Sequence, residues 1–327
     1  MRDLSHAAET IRSARQVALA CHVSPDGDAL GSMLALHHAL LGAGIDSVAS
    51  FPEPFEVAPH YRELPGLDLL TSPAAFPAEP DVMVTFDCGS LARLGELAVP
   101  AKTARELVVL DHHRSNDCFG TLNVVEPDAA ATAVLVYDLI HELGLPMTRE
   151  AAVCLYAGIV CDTGRFQYDS TSEEVFSIAR DLLRYEVPLA RLNRSLFEEH
   201  RFDYLQMVGQ LLGKARLVPE RRFVWVAVTQ DDLRHHGVTL DETEGLIDII
   251  RRTSEAEVAC VLKEEADGAF RVSLRSLGDV DVCHIAQDHG GGGHRFAAGF
   301  TSRQSLPDLV ARIEGALPLA NGATPAA

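Results

Sequence analysis

A two-domain α/β chain, with a parallel sheet first and a smaller α+β domain after it, is predicted by three features of the sequence. Up to about residue 190, short β-branched runs alternate with stretches that carry apolar residues at helical spacing, the pattern of a parallel sheet with helices on both faces. Beyond about residue 215 the texture changes to strands with short helices between them, the mark of a second sheet. A length of 327 residues suffices for two hydrophobic cores.

The elements follow in order. Residues 17–23 read as a strand and 29–41 as a helix, which Gly42-Ala43-Gly44 stops; 45–50 is the next strand. The Pro- and Gly-rich stretch 52–80 is mostly loop with a short helix. Strands at 82–86, 107–110 and 122–125 precede helices at about 129–143 and 148–161. Thr171-x-x-Glu174 has the form of a capping box and opens a helix to about Glu186. Pro188 starts a helical, charge-rich connector that runs to roughly Lys214. Strands at 223–228, 257–263 and 269–274 follow, with helices near 243–252 and 280–288. Gly290 to His294 precede a last strand and a helix near 306–317, and 319–327 is a frayed tail. The expected division is 1–187, a connector 188–214, a second domain 215–318, and the tail.

Hydrophobic content of 47% and charged content of 23% are those of an ordinary soluble globular protein. No apolar stretch approaches the roughly 18 residues of a membrane span, and the first 16 residues lack the apolar core of a signal peptide, so a cytoplasmic location is expected and no membrane partner. A net charge of −19 argues against a surface that grips long duplex nucleic acid through its phosphates. It leaves room for a small phosphorylated substrate, because bound cations invert the local field. Seven cysteines without a CxxC spacing indicate neither a disulfide framework nor a zinc ribbon. Cys21, Cys88 and Cys161 each adjoin a candidate ligand, but neighbouring strand positions face opposite ways, which favours small buried hydrophobes over thiolate ligands.

The chemistry is concentrated in acidic loops that each follow an apolar run. They carry His22-x3-Asp26-x-Asp28, Asp87, Asp111-His112-His113 and Asp162. Any one of these aspartates alone reads as a helix N-cap or turn residue, and the histidine pair alone as surface or core. Four such loops together point to one crevice at the carboxyl ends of the strands. Carboxylates gathered there cannot all stay ionised without cations among them. Oxygen and imidazole ligands suit Mn²⁺, Fe²⁺, Co²⁺ or Mg²⁺, and imidazole favours Mn²⁺ over Mg²⁺. Two divalent cations held close together would lower the pKa of a shared water and neutralise phosphate oxygens. No Ser or Cys nucleophile with a partnered base is visible, which disfavours covalent catalysis.

The same residues resemble the four motifs of the DHH phosphoesterase superfamily: His22-Val-Ser-Pro-Asp-Gly-Asp-Ala-Leu-Gly-Ser32, Asp87-Cys-Gly-Ser90, Asp111-His-His113 and Asp162-Thr-Gly164. Gly290 to His294 with Ala297-Ala298-Gly299 resembles the signature of the DHH-associated C-terminal domain, so the likeness spans about residues 10–318. Within the superfamily the chain is most similar to the bacterial oligoribonuclease (nanoRNase)/3′-phosphoadenosine-5′-phosphate phosphatase group. The resemblance implies one metal on His22, Asp26 and Asp87, and a second on Asp28, Asp87, His112 and Asp162, with Asp87 bridging. It implies that His113 faces the scissile phosphate and that Asp111 orients the histidines. It further implies an active site in the interdomain cleft, where Arg275, Ser276, Gly292, Gly293 and His294 hold the distal part of a nucleotide. Glycines admit backbone N–H groups to a phosphate and arginine completes an anion pocket, although four glycines alone read as a linker. Arg114 and Arg165, beside two of the motifs, either contact substrate phosphate or form surface salt bridges.

The function implied is Mn²⁺-dependent hydrolysis of very short RNA to nucleoside 5′-monophosphates, removal of the 3′-phosphate from 3′-phosphoadenosine-5′-phosphate, or both. Hydrolysis of linear or cyclic dinucleotides such as cyclic di-AMP is the nearest alternative. A processive exonuclease would carry an extra nucleic-acid-binding domain, and a pyrophosphatase a pocket rich in lysine, whereas this chain has only Lys102, Lys214 and Lys263. A non-catalytic nucleotide sensor is the alternative of another class, disfavoured because every motif position is intact. The resemblance also implies a homodimer as a possible assembly.

Overall fold

The computed structural model describes residues 4–320. The chain divides into two compact units, Met1–Glu199 and His200–Ala327, and the division falls inside the stretch 188–214 read as a connector. Of the expected tail, residues 321–327 lie outside the described residues.

In the N-terminal unit five parallel strands, β1 (Val17–Cys21), β2 (Ser47–Ser50), β3 (Val82–Phe86), β4 (Glu106–Asp111) and β5 (Leu122–Val125), stand in the order β2-β1-β3-β4-β5. Their near-continuous apolar sequence follows from burial on both faces. Residues Val17 to Cys21 pair with Val82 to Phe86 one for one, so the two strands end level. His22 and Asp87, the next residues, therefore leave the sheet side by side. This is the point where the strand order reverses, the usual ligand crevice of an open parallel sheet.

The helices of this unit are α1 (Ser5–Ser13), α2 (Gly27–Gly42), α3 (Ala98–Thr103), α4 (Thr132–Leu143), α5 (Arg149–Asp162), α6 (Glu173–Leu182) and α7 (Leu189–Phe197). One sheet face, including Leu19, Val84 and Leu110, packs against α1, α2, α4 and α5. The other, with Ala18, Ala20 and Met83, is closed by Phe76, Leu94, Leu97 and Ala101 from short 3₁₀ turns and α3, a thinner cover than full helices. Every residue of α2 from Gly27 to His37 is buried, so the helix is enclosed on all sides. It touches α5 backbone to backbone: a Cβ on Gly31 would stand 2.5 Å from the Cys154 carbonyl, and one on Gly158 would stand 2.7 Å from Asp28 Oδ1. Gly31→Val is expected to destabilise this unit by about 1–3 kcal/mol, because the obstacle is backbone and cannot step aside. A urea midpoint equal to the wild type's would show that the helices do not meet there.

Three local readings need correction. The helix after residue 170 is capped by Ser172, whose side chain accepts from Val175 N, and not by Thr171. The loop 52–80 holds three 3₁₀ turns, Pro59–Tyr61, Leu67–Leu69 and Pro73–Ala75, in place of one short helix. Helix α1 and the helical stretch from Leu91 to Thr103 are additional, the second broken at Gly95.

The C-terminal unit contains α8 (Phe202–Lys214), β6 (Arg216–Val218), β7 (Phe223–Val228), α9 (Gln230–His236), α10 (Leu246–Ile250), β8 (Val258–Glu264), β9 (Phe270–Ser276), α11 (Val282–Gln287), β10 (Gly292–His294), β11 (Ala297–Ser302) and α12 (Leu306–Ala316). Its mixed sheet has the order β10-β11-β9-β8-β7-β6, in which only β7 and β8 are parallel. Helices α11 and α12 cover one face, and α8, α9 and α10 cover β7 and β8 on the other. The glycine run is not a loop before the last strand: Gly292 to His294 are themselves an edge strand paired with β11. Glycine is required there, since a Cβ on Gly291 would meet the Gly299 carbonyl at 2.2 Å and one on Gly293 the Ala297 carbonyl at 2.5 Å. Among the described residues no helix is long and apolar enough to cross a membrane.

Candidate metal and phosphoester site

Asp87 is the centre of the N-terminal cluster. It follows β3 with φ 53°, a left-handed conformation that costs a non-glycine residue energy and recurs at functional sites. Its side chain is buried; Oδ1 accepts from Thr132 Oγ1 at 3.0 Å and lies 3.5 Å from His112 Nε2, while Oδ2 lies 3.8 Å from His22 Nε2. Burial alone would raise its pKa, but the imidazoles of His113, His22 and His112 hold the carboxyl well below the usual range. Donor atoms of His22, Asp26 and Asp87 lie within 4.8 Å of one another, as do those of Asp28, Asp87 and His112. Asp87 belongs to both groups.

The two aspartates of the first loop divide their oxygens between structure and site. Asp26 is the N-cap of α2, with Oδ1 accepting from the backbone N–H of Asp28 and Ala29, and Oδ2 lies 3.9 Å from His22 Nε2. The N-cap reading and the ligand reading thus occupy different oxygens of one carboxylate. Asp28, fully buried, accepts from Thr132 N at 2.6 Å, Ala133 N at 2.9 Å and Ser32 Oγ at 3.2 Å. It supplies the cap that Ala131, at the start of α4, has no side chain to provide. Burial and the nearby charges of Asp162 and Asp87 push the Asp28 carboxyl well up. Asp162, the last residue of α5 and so at a helix end where the others follow strands, is likewise raised by burial, against the pull of His112.

His112 supplies the test of whether a cation suits this cluster. Its Nδ1 is 3.0 Å from the Ala129 carbonyl, which it meets as a donor, and Nε2 faces Asp162 at 3.0 Å, Asp87 at 3.5 Å and Asp28 at 3.8 Å. An imidazole placed so holds either a second proton or a cation at Nε2. Burial would lower its pKa, but the three carboxylates raise it well above the ordinary value. The neighbouring thiols are unsuited to ligation, since burial pushes Cys88 up to about 12 and Cys21 well above its usual value. An oxygen-and-imidazole set around a carboxylate shared by two groups therefore fits a pair of divalent cations.

His113 stands slightly apart. Its Nδ1 lies 2.8 Å from Asp111 Oδ1 and 3.4 Å from Asp87 Oδ1. Burial would depress it, but Asp87 and Asp111 raise its pKa and favour the imidazolium. Asp111 is fully buried at the end of β4; Oδ1 also accepts from the backbone N–H of His112 and His113, and Oδ2 accepts from Asn116 Nδ2. One carboxylate thus orients the whole His112-His113 turn.

The C-terminal residues form a separate set. Arg275 lies on the β9 face shared with Arg271, Ser273 and, through β11, with Gly292 and His294 of β10. That face is left uncovered by α8, α9 and α10, whose core stops at β8. Ser276 points to the opposite face and is buried, so strand alternation separates it from Arg275. Of the two arginines beside the acidic motifs, Arg114 is exposed and 3.7 Å from Asp128, the surface ion pair of the two readings. Arg165, with φ 63°, stacks its guanidinium over the Phe197 ring.

Four residues of the cluster escaped sequence reasoning: Thr132 and Ser32 through their bonds to Asp87 and Asp28, Asn116 through Asp111, and Arg93, whose Nη2 is 2.8 Å from His22 Nδ1. Ser32 closes the first motif four residues after Asp28, one helical turn on, which is a signal that was available. Thr132 and Arg93 reach the cluster only through the packing of α4 and of the turn after β3.

Comparison with known proteins gives three results. The family described as "DHH family, N-terminal domain" matches residues 16–159, and the DHHA1 domain matches residues 222–318. The "Bifunctional oligoribonuclease and PAP phosphatase NrnA" of Thermus thermophilus is 34% identical over 285 residues, covering 86% of this chain and 83% of that one. Its namesake from Bacillus subtilis is 29% identical over 283 residues, covering 85% and 86%. Among solved structures, an exopolyphosphatase-related protein from Bacteroides fragilis superposes with a TM-score of 0.86 at 24% identity, covering 95% of this chain and 94% of that one, a likeness of fold.

Proposed function

The chain belongs to the DHH family and carries a DHHA1 domain, and on that premise we propose that it hydrolyses phosphoesters of very short RNA to nucleoside 5′-monophosphates and removes the 3′-phosphate of 3′-phosphoadenosine-5′-phosphate. The observation that carries this reading is the shared carboxylate of Asp87, common to two clusters of oxygen and imidazole donors. The names of the relatives from Thermus thermophilus and Bacillus subtilis, both called bifunctional oligoribonuclease and PAP phosphatase, support the substrate class.

His22, Asp26 and Asp87 would hold one divalent ion and Asp28, Asp87, His112 and Asp162 the other; bound there, the pair supplies Lewis-acid charge neutralisation and a water of lowered pKa. Manganese is favoured over magnesium by the two imidazoles. The chain's own groups do the rest. Thr132 and the N-terminus of α4 hold Asp87 and Asp28 in place. Asp111 keeps the His113 ring oriented, and Asp87 and Asp111 together favour its imidazolium, which would stabilise negative charge growing on the phosphate. Residues 1–187 carry this chemistry, and 215–318, after the helical connector 188–214, bind the nucleotide through Arg275, Gly292, Gly293 and His294. Short substrates are preferred because a surface of net charge −19 gives a long strand little to hold.

A Mn²⁺-supported activity panel tests the proposal, with a 5′-labelled dinucleotide, 3′-phosphoadenosine-5′-phosphate, cyclic di-AMP, a long RNA and pyrophosphate side by side. The dinucleotide and 3′-phosphoadenosine-5′-phosphate are expected to be turned over with the highest kcat/KM. Preference for the long RNA or for pyrophosphate would overturn the reading.

A further inference from the structure

Arg93 lies on the 3₁₀ turn Leu91–Leu97 that follows β3 and the Asp87 loop. Its backbone carbonyl accepts from Val23 N at 2.9 Å, which ties this turn to the loop bearing His22. Its side chain is exposed, yet Nη2 approaches His22 Nδ1 to 2.8 Å. Four other exposed arginines of this unit carry an acidic partner, Arg105 with Asp81, Arg180 with Asp181, Arg191 with Glu63 and Arg194 with Glu199, whereas Arg12, Arg62 and Arg149, like Arg93, show no carboxylate pair among the described residues and lie on other loops and helices. Among the described residues, no carboxylate pairs with Arg93. An unpaired guanidinium beside a cluster of carboxylates, on a chain this acidic, asks for an anion.

The contact with His22 does not supply a structural reason for the arginine. His22 Nδ1 is also 2.8 Å from the Val23 carbonyl. One ring nitrogen cannot donate to that carbonyl and accept from a guanidinium at once. With Nδ1–H on Val23, Nε2 keeps its lone pair and faces Asp26 and Asp87, the arrangement that an ion on this imidazole requires. In that arrangement the arginine's N–H meets another N–H and the contact is lost. Val23 alone then sets the ring, and the guanidinium is left beside the ligand His22 without a hydrogen bond to it.

We propose that Arg93 is a substrate-binding residue whose planar guanidinium leaves His22 and grips a non-bridging oxygen of the phosphate under attack. The inference deepens the phosphoesterase reading and rests on it. Guanidinium matches a phosphate through two parallel N–H donors, which a single ammonium does not reproduce. The anion then faces the fixed positive charge of Arg93 on a unit otherwise dominated by carboxylates around the site.

The test compares wild type, Arg93→Gln, Arg93→Lys and the control Arg105→Gln as full-length, Mn²⁺-loaded proteins. Calorimetric titration with inorganic phosphate and, on metal-stripped protein, with Mn²⁺ gives readouts independent of turnover. Arg93→Gln is expected to weaken phosphate binding and raise KM for the dinucleotide by about 10- to 100-fold, the worth of a charge-assisted hydrogen bond. Mn²⁺ affinity should stay within about 3-fold of wild type, since no ion contact is removed. Arg93→Lys should recover part of the phosphate affinity, and Arg105→Gln should leave it unchanged. Phosphate affinity equal to wild type in both Arg93 variants would overturn the proposal, as would a loss confined to Mn²⁺ affinity, which would make Arg93 a support for His22. If wild type hydrolyses no nucleotide but Arg93→Gln still loses phosphate, the anion site stands and the substrate reading falls.

Discussion

Asp87→Asn is expected to reduce kcat/KM by at least about 10³-fold while the N-terminal unit remains folded. The size of the expected loss follows from the number of interactions that meet at one carboxylate. Asp87 is common to both donor clusters, so its removal empties a place in each. Removal of a single preorganised electrostatic contact commonly costs about 10²- to 10³-fold in rate, and here two sets are lost together. Folding is spared because asparagine tolerates the left-handed backbone at φ 53° better than most residues and keeps an oxygen to accept from Thr132 Oγ1. Asp87→Ala should lose as much activity but also some stability, because alanine is strained in that backbone region. Steady-state kinetics and thermal melts on the two variants check both halves of the argument. Turnover above a tenth of wild type in Asp87→Asn would remove Asp87 from its central role. A wild type with no more turnover than the variant would instead make the protein a nucleotide sensor.

Chelation of divalent metal is expected to lower the melting temperature, and to lower it more at pH 8 than at pH 6. The sign follows from the shifted groups. The carboxyls of Asp28 and Asp162 are held above the ordinary range by burial and by their acidic neighbours. Against burial, His112 is raised by Asp162, Asp87 and Asp28, and His113 by Asp87 and Asp111. A raised group contributes stability that is full below its unfolded pKa and is lost as pH climbs through its folded one. Each therefore makes the metal-free unit less stable as pH rises above its ordinary value, and for the two imidazoles that loss begins at about pH 6.5. Asp87 has the opposite sign: its carboxyl is depressed, so its contribution is lost only in acid. A divalent ion replaces the protons on this cluster, and competition from protons falls as pH rises, so its stabilisation grows in the same interval. At a free concentration 100-fold above Kd the ion contributes about 2.7 kcal/mol. At roughly 2–4 °C per kcal/mol for a unit of this size, the shift is about 5–10 °C. Melts with chelator and with Mn²⁺ at pH 6, 7 and 8 measure it. Equal melting temperatures with and without Mn²⁺ at every pH would contradict the clustering of the carboxylates.

Much of the site was legible because its residues sit at element ends that the apolar runs announce. The runs before His22, Asp87 and Asp111 are strands β1, β3 and β4, and Asp162 closes helix α5. What escaped was whatever depends on contact across the fold. Thr132 is silent in sequence because its partner Asp87 is 45 residues away, and Arg93 because His22 is 71 residues away. The glycine run was misplaced for a different reason. Glycine signals freedom in a loop and close approach in a strand alike, and only the carbonyls of Ala297 and Gly299 reveal that the second applies. Ser276 illustrates a limit of adjacency, since the residue beside Arg275 on a strand belongs to the other face.

By itself, the sequence determined the α/β class, the two-unit plan and the chemical identity of the donors, because these depend on local periodicity and on side-chain type. The tertiary structure decided which donors share a site and how each is aimed. The level ends of β1 and β3 bring His22 beside Asp87, and the glycine contact of α2 with α5 lets Asp28 approach Asp162. The amides of α4 claim oxygens of Asp28, and the Ala129 carbonyl turns His112 so that Nε2 faces the carboxylates. Those are consequences of close packing between segments distant in the chain, and no local pattern encodes them.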